Sequence, residues 1–116
     1  MEFGLFKELM LFDTQGRFCI ETQFSANANE KFDYCRMGKM PDGKTKHDVF
    51  WYGLTSDGKN AYDYSTFEDF SNAEVFDGRS LTEIWDSVII NQINDCDPIG
   101  MVQMYLSETY RTGAPR

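Results

Sequence analysis

The amino-acid sequence predicts an α+β fold: an antiparallel sheet of four to five strands, built from two N-terminal hairpins and one late strand, packed with two short helices and a C-terminal helix. Three observations carry this expectation. Up to Tyr64 the chain is a series of short segments rich in β-branched and aromatic residues, separated by turn chemistry. After Tyr64, helix-start signals recur at short intervals. Strands first and helices afterwards is the α+β order, not the alternation of a parallel sheet. The length of 116 residues suits one domain. No repeat, low-complexity tract or Pro/Gly/Ser linker divides it, so residues 1–112 are expected to form that domain and 113–116 a flexible tail.

Lys7–Asp13 and Arg17–Gln23 read as a first hairpin. Leu9 and Leu11, then Phe18 and Ile20, alternate with other types, and residues 13–16 (Asp-Thr-Gln-Gly) have turn chemistry. A short N-terminal helix ending near Phe12 is the competing reading. Ser25–Glu30 is a polar loop, and Phe32–Met37 a third strand. Residues 41–44 (Pro-Asp-Gly-Lys) form a turn. His47–Leu54 is the strongest strand, since Val49, Phe50, Trp51 and Tyr52 all favour a pleated surface. Residues 56–59 (Ser-Asp-Gly-Lys) then turn the chain into Asn60–Tyr64 and complete a second hairpin.

Ser65, with Glu68 three residues on, has the form of a capping box opening a helix over Thr66–Asn72, with Phe67 and Phe70 on one face. Asp77-Gly78-Arg79 breaks the chain. Ser80 with Glu83 repeats the capping pattern ahead of Leu81–Asp86, where Leu81, Ile84 and Trp85 form an apolar stripe. Val88, Ile89, Ile90 and Ile93 are more strand than helix, being β-branched and close together. Asp97-Pro98 starts the last helix. It is expected to run to about Tyr110, to present Ile99, Val102 and Leu106, and to stop at Gly113.

The aromatic fraction of 16%, with ten Phe, six Tyr and two Trp, implies either an unusually aromatic core or rings left at an interface. Cys19, Cys35 and Cys96 are odd in number, lack a CxxC pair and are accompanied by one histidine, His47. That argues against a disulfide framework and a tetrahedral zinc site, and fits a reducing cytoplasm. The N-terminus lacks a basic leader and a small-residue cleavage site, so no signal peptide is read there. No apolar run approaches the roughly 20 residues of a membrane span.

The net charge of −8 is unevenly placed. Residues 1–56 carry eight acids and seven bases. Residues 57–97 carry ten acids against Lys59 and Arg79, a local net of −8, and residues 98–116 carry one acid and two arginines. Nucleic acid and anionic membranes are therefore poor partners for the 57–97 surface. The stretch Lys31–Lys46, with Lys31, Arg36, Lys39, Lys44 and Lys46 against Asp33 and Asp42, is mildly basic. A solvated hairpin explains it as well as contact with nucleic acid does.

Catalytic patterns are sparse. Cys35 and His47 fall on neighbouring strands, and a nucleophile pair there lacks any local signature. Asp95 and Asp97 flank Cys96, but Asp97 is better explained as the N-cap before Pro98. Residues 57–63 lack the ligand spacing of an EF-hand loop. No HExxH, GxSxG or GxxxxGK[ST] occurs, and Asp77-Gly78-Arg79-Ser80, with a single glycine amid acidic neighbours, is a weak phosphate cradle and reads better as a turn. No metal or cofactor is expected, and no enzymatic activity.

The acidic segment is the remaining candidate. Asp63, Glu68, Asp69, Glu74, Asp77, Glu83 and Asp86 fall on or beside the two short helices, with Tyr62, Tyr64 and Trp85 as candidate anchors. Packed side by side, those helices would display a phosphate-like array of carboxylates. The same charges also suit a solvated exterior that keeps a small protein in solution. In size, acidity and lack of catalytic motifs the chain resembles the small accessory proteins of phages and mobile elements, anti-CRISPR proteins among them. That resemblance implies an inhibitor or accessory factor, docked on a partner protein whose basic groove ordinarily holds nucleic acid. The alternative is a small-molecule-binding domain or small enzyme, with a pocket between sheet and helices lined by Trp51, Tyr52 and Tyr64. Self-association through the surplus aromatics is a third reading.

Overall fold

The N-terminal segment folds as a helix, α1, over Phe3–Met10. In a computed structural model, the structure describes residues 1–12, 18–26, 32–45, 47–55 and 59–112, side chains of 106–112 excepted. Phe6, Leu9 and Met10, at helical spacing, are the buried face of α1. The expected first hairpin is therefore corrected. Residues 7–10 continue a helix, and the competing helical reading holds. The turn expected at 13–16, residues 27–30 of the expected loop, the 56–58 part of the second turn and the 113–116 tail lie outside the described residues.

Five strands follow: β1 Ile20–Ala26, β2 Cys35–Pro41, β3 Asp48–Gly53, β4 Ala61–Tyr64 and, later, β5 Val88–Ile93. They form one antiparallel sheet in the order β4-β3-β2-β1-β5, so β1 pairs with β2 and β5 rather than with the N-terminal segment. The third strand begins later than expected because Tyr34 sits at φ 54, a left-handed conformation that no strand accommodates. Asp42 closes the β2–β3 connection, accepting from Lys44 N and Thr45 Oγ1, both at 3.0 Å.

After β4 come α2 (Phe67–Asn72), α3 (Leu81–Ile84) continuing into a 3₁₀ turn at Trp85–Ser87, and α4 (Pro98–Thr112). The cap of α2 is shifted by one residue from the expected Ser65. Thr66 Oγ1 accepts from Asp69 N at 3.1 Å. The Ser80–Glu83 capping box forms as read. In α4 Val102 is buried, while Ile99 is turned to solvent.

The α+β architecture is thus present, with a one-sided sheet. Register places Ile20, Thr22, Phe24, Cys35, Met37, Lys39, Asp48, Phe50 and Tyr52 on one face, and all are buried. Glu21, Gln23, Arg36, Gly38, Trp51 and Asp63 belong to the other face. The core lies under the helices and is largely aromatic. Tyr52 stacks on Phe70 at 4.2 Å, Phe6 meets Phe67 and Trp85, and Phe76 meets Phe24, Phe32 and Tyr52. Most of the surplus rings fill the interior in tilted and edge-on pairs, the geometry such rings prefer. Among the described residues, Phe18, Tyr34 and Tyr62 are the aromatics left most exposed.

Candidate partner-binding surface

α2 forms where it does because Thr66 caps it and Phe67 and Phe70, three apart, are both drawn into the core. That leaves Glu68 and Asp69 outward, in the first turn, where negative charge suits the exposed N–H groups. α3 packs beside α2, and Thr82 Oγ1 donates to the Ser71 carbonyl at 3.1 Å. Its capping box holds Glu83. Ser80 N donates to Glu83 Oε1 at 3.0 Å, and Glu83 N donates to Ser80 Oγ at 3.2 Å. The first of these bonds is the largest cause holding the Glu83 carboxyl below its ordinary value, with the Ser80 side chain and Arg79 acting in the same direction. Asp86 lies just beyond, on the 3₁₀ turn.

The segment between the two helices turns on Asp77 and Gly78, at φ 52 and 84, with Phe76 and Arg79 exchanging backbone bonds of 3.0 and 3.2 Å. Two successive positive φ values mark the tight hairpin for which Asp-Gly is the preferred pair. The turn read for this stretch in preference to a phosphate loop is present, followed by the cap of a four-residue helix. Asn94 and Asp95, at φ 51 and 62, make a second turn of the same kind. Asp97 Oδ2 accepts from Gly100 N at 3.0 Å, as its N-cap role requires.

All seven carboxylates singled out in the sequence are exposed. Glu68, Asp69, Glu83 and Asp86 share the helical layer. Glu74 and Asp77, with Tyr62, line a hollow of about 300 Å³ whose other walls include Phe32, Leu54 and Val75. Asp63 stands apart, since its register partner is Trp51, on the sheet face away from the helices. Arg79 is the only base between residues 63 and 86, and its guanidinium donates to the Glu83 carbonyl at 3.3 Å. Glu68, Asp69, Glu74, Glu83 and Asp86 take part in no ion pair among the described residues.

Two candidate anchors turn inward. Tyr64 is half-buried against Tyr52 and Phe70, and burial, then the neighbouring Tyr62, pushes its phenol up. Trp85 packs on Phe3 and Phe6 and donates Nε1–H to the Met1 carbonyl at 2.9 Å. Tyr62, 38% exposed, remains at the surface.

The aromatic pocket expected between sheet and helices is also corrected. Trp51 and Tyr52 are consecutive on a strand and so project to opposite faces. Tyr52 is packed solid and donates its hydroxyl to the Phe70 carbonyl at 2.6 Å, and burial drives its phenol upward. Trp51 instead lies across Gly38 on the open face, its Cζ2 only 3.1 Å from where a Cβ would stand. The larger hollow, about 570 Å³, is an open depression at that face's edge, lined by Gln23, Asp33, Tyr34 and Arg36 among others.

Nor does the structure join the other chemical candidates. Cys35 neighbours Leu54, whose carbonyl accepts its thiol at 3.4 Å, at the opposite end of β3 from exposed His47. Burial, with Asp33 adding to it, pushes the Cys35 thiol up to about 11, away from a nucleophile's range. Among the described residues of the basic stretch, Lys39 is buried and Arg36 pairs with Glu21 at 3.3 Å, so these two bases share no surface. Strand alternation could have shown this, because Lys39 is in phase with Cys35 and Met37, and Asp48 with Phe50 and Tyr52.

Among the described residues no group of three or more His, Cys, Asp or Glu side chains is placed to hold a metal, and no helix is long and apolar enough to cross a membrane. The site and fold define an α+β chain with a helical layer rich in carboxylates over a one-sided antiparallel sheet. No protein-family model matches this chain, and no curated protein or solved structure matches it at a significant level.

Proposed function

We propose that this chain is a protein-binding module, an inhibitor or accessory factor, that docks its acidic helical layer against a basic surface of a partner protein. One observation carries the reading. The carboxylates of α2, α3 and the segment between them are all exposed, and Arg79 is the only base interspersed among them. Fixed carboxylates on a rigid layer attract a cationic groove before contact and hold register after it. A partner that ordinarily holds nucleic acid has a surface of the required sign.

Neutralisation without change of shape tests this. The variant Glu68→Gln/Asp69→Asn/Glu74→Gln/Asp77→Asn keeps side-chain size and, at Asp77, a residue tolerant of the left-handed turn. A partner recovered from the native host should bind the unmodified chain at low ionic strength, weaken as salt rises, and fail to bind the variant. A partner held equally by both, at every salt concentration, overturns the proposal.

A further inference from the structure

Among the described residues β4 pairs with β3 alone and ends the sheet. Leu54 N donates to the Asn60 carbonyl at 3.0 Å, and the register continues through Tyr52↔Tyr62 and Phe50↔Tyr64. In an antiparallel ladder the bonded pairs alternate. The backbone groups of Asn60, Tyr62 and Tyr64 therefore face β3, while those of Ala61 and Asp63 face outward. Ala61, Tyr62 and Asp63 are all exposed.

Carboxylates flank this edge on both faces. Asp63 projects on the open face. On the helix side, the hollow beside the edge is lined by buried Phe32 and Leu54 together with Tyr62, Glu74 and Asp77. Apolar, aromatic and anionic lining residues together match the aliphatic stem and cationic head of arginine or lysine. A second copy of β4 fits poorly, because antiparallel pairing about the strand centre brings Asp63 close to its own counterpart.

We infer that β4 accepts an extended basic segment of the partner as a sixth strand. Two consecutive basic residues of that segment, projecting to opposite faces, would reach Asp63 and the Tyr62 hollow. This rests on the reading of the chain as an acidic protein-binding module, and it names how the partner is held: backbone bonds to Ala61 and Asp63 supply affinity, and the two acidic positions supply specificity.

Three capped heptapeptides serve as probes of the ¹⁵N-labelled full chain at low salt. One has adjacent Arg and Lys among Thr and Val. The second is the same peptide N-methylated at alternate residues, which removes the ladder donors. The third has Glu in place of both bases. The first peptide should shift and protect the amides of Ala61 and Asp63. N-methylation should weaken binding by about tenfold or more, and the Glu peptide should not bind. Asp63→Asn and Glu74→Gln should each weaken the first peptide several-fold while leaving the chain's own spectrum folded. Shifts confined to Glu68, Asp69, Glu83 and Asp86, unaffected by N-methylation, would overturn strand addition and leave the acidic-layer reading standing. No response to either basic peptide would overturn both.

Discussion

Lys39 Nζ lies 3.0 Å from Asp48 Oδ2, and both side chains are withdrawn from solvent. Lys39 also donates to the Phe12 carbonyl, just past the end of α1. A single ammonium thus ties β2, β3 and the N-terminal helix together beneath the aromatic core. Oδ2 is held by close charge–charge contact, whereas Asp48 Oδ1 meets no donor among the described residues. Such a pair is a weak source of net stability but a strong constraint, because either charge alone is intolerable in that place.

Breaking one side should therefore cost far more than replacing both. Lys39→Met or Asp48→Ala is expected to lower unfolding free energy by about 3–5 kcal/mol, read by urea denaturation. The double variant Lys39→Met/Asp48→Leu should recover most of that loss. A double variant as unstable as the sum of the singles would contradict this account.

Thr22 Oγ1 is buried with no hydrogen-bond partner among the described residues. Thr22→Val keeps the branched shape and removes the unsatisfied hydroxyl. It should stabilise the fold by about 1 kcal/mol, seen as a higher urea midpoint with an unchanged slope.

Gly38 and Gly53 both border the Trp51 ring and should respond oppositely to a methyl group. A Cβ on Gly38 would stand 1.9 Å from the Ile20 carbonyl oxygen, so β1 and β2 would have to separate. Gly38→Ala should cost about 3 kcal/mol. A Cβ on Gly53 meets Trp51 Cζ3 at an ordinary 3.7 Å, and Gly53→Ala should gain about 0.5 kcal/mol from reduced chain entropy. Equal effects at the two sites in thermal unfolding would refute the close approach.

The Glu83 carboxyl is held below its ordinary value of 4.5 in the folded chain, first by the Ser80 N–H. A lowered folded-state value contributes stability above 4.5 that is lost as pH falls through the lowered value. An NMR titration should place the Glu83 midpoint below 4.5, and Ser80→Ala should raise it. The same substitution should cost about 1 kcal/mol through loss of the cap. An unmoved midpoint in Ser80→Ala would show that the Ser80 hydroxyl does not help to hold the carboxylate, leaving that role to the residue-80 N–H.

Much of the architecture was legible from residue types and spacing. Val49–Tyr52 demanded a strand, Ser80 with Glu83 a helix start, Asp97 before Pro98 another, and the cluster from Val88 to Ile93 a late strand. The exposure of Glu68, Asp69 and Glu83 followed from their placement on two helices whose opposite faces carry Phe67, Phe70, Leu81 and Ile84. These are local properties, set by backbone sterics, capping and the period of apolar residues.

Other features were decided only when elements met. Residues 7–11 place two leucines at a spacing that suits a strand, while Phe6, Leu9 and Met10 suit a helix. So short a window carries both periods, and packing of Phe6 on Phe67 and Trp85 selected the helix. Alternation places Trp51 and Tyr52 on opposite faces, but only the position of the helices determines which of them is covered. Lys39 and Asp48 count as two surface charges in any tally of composition. The register of β2 against β3 and the coverage of one sheet face put them inside, where the only stable state for each is beside the other.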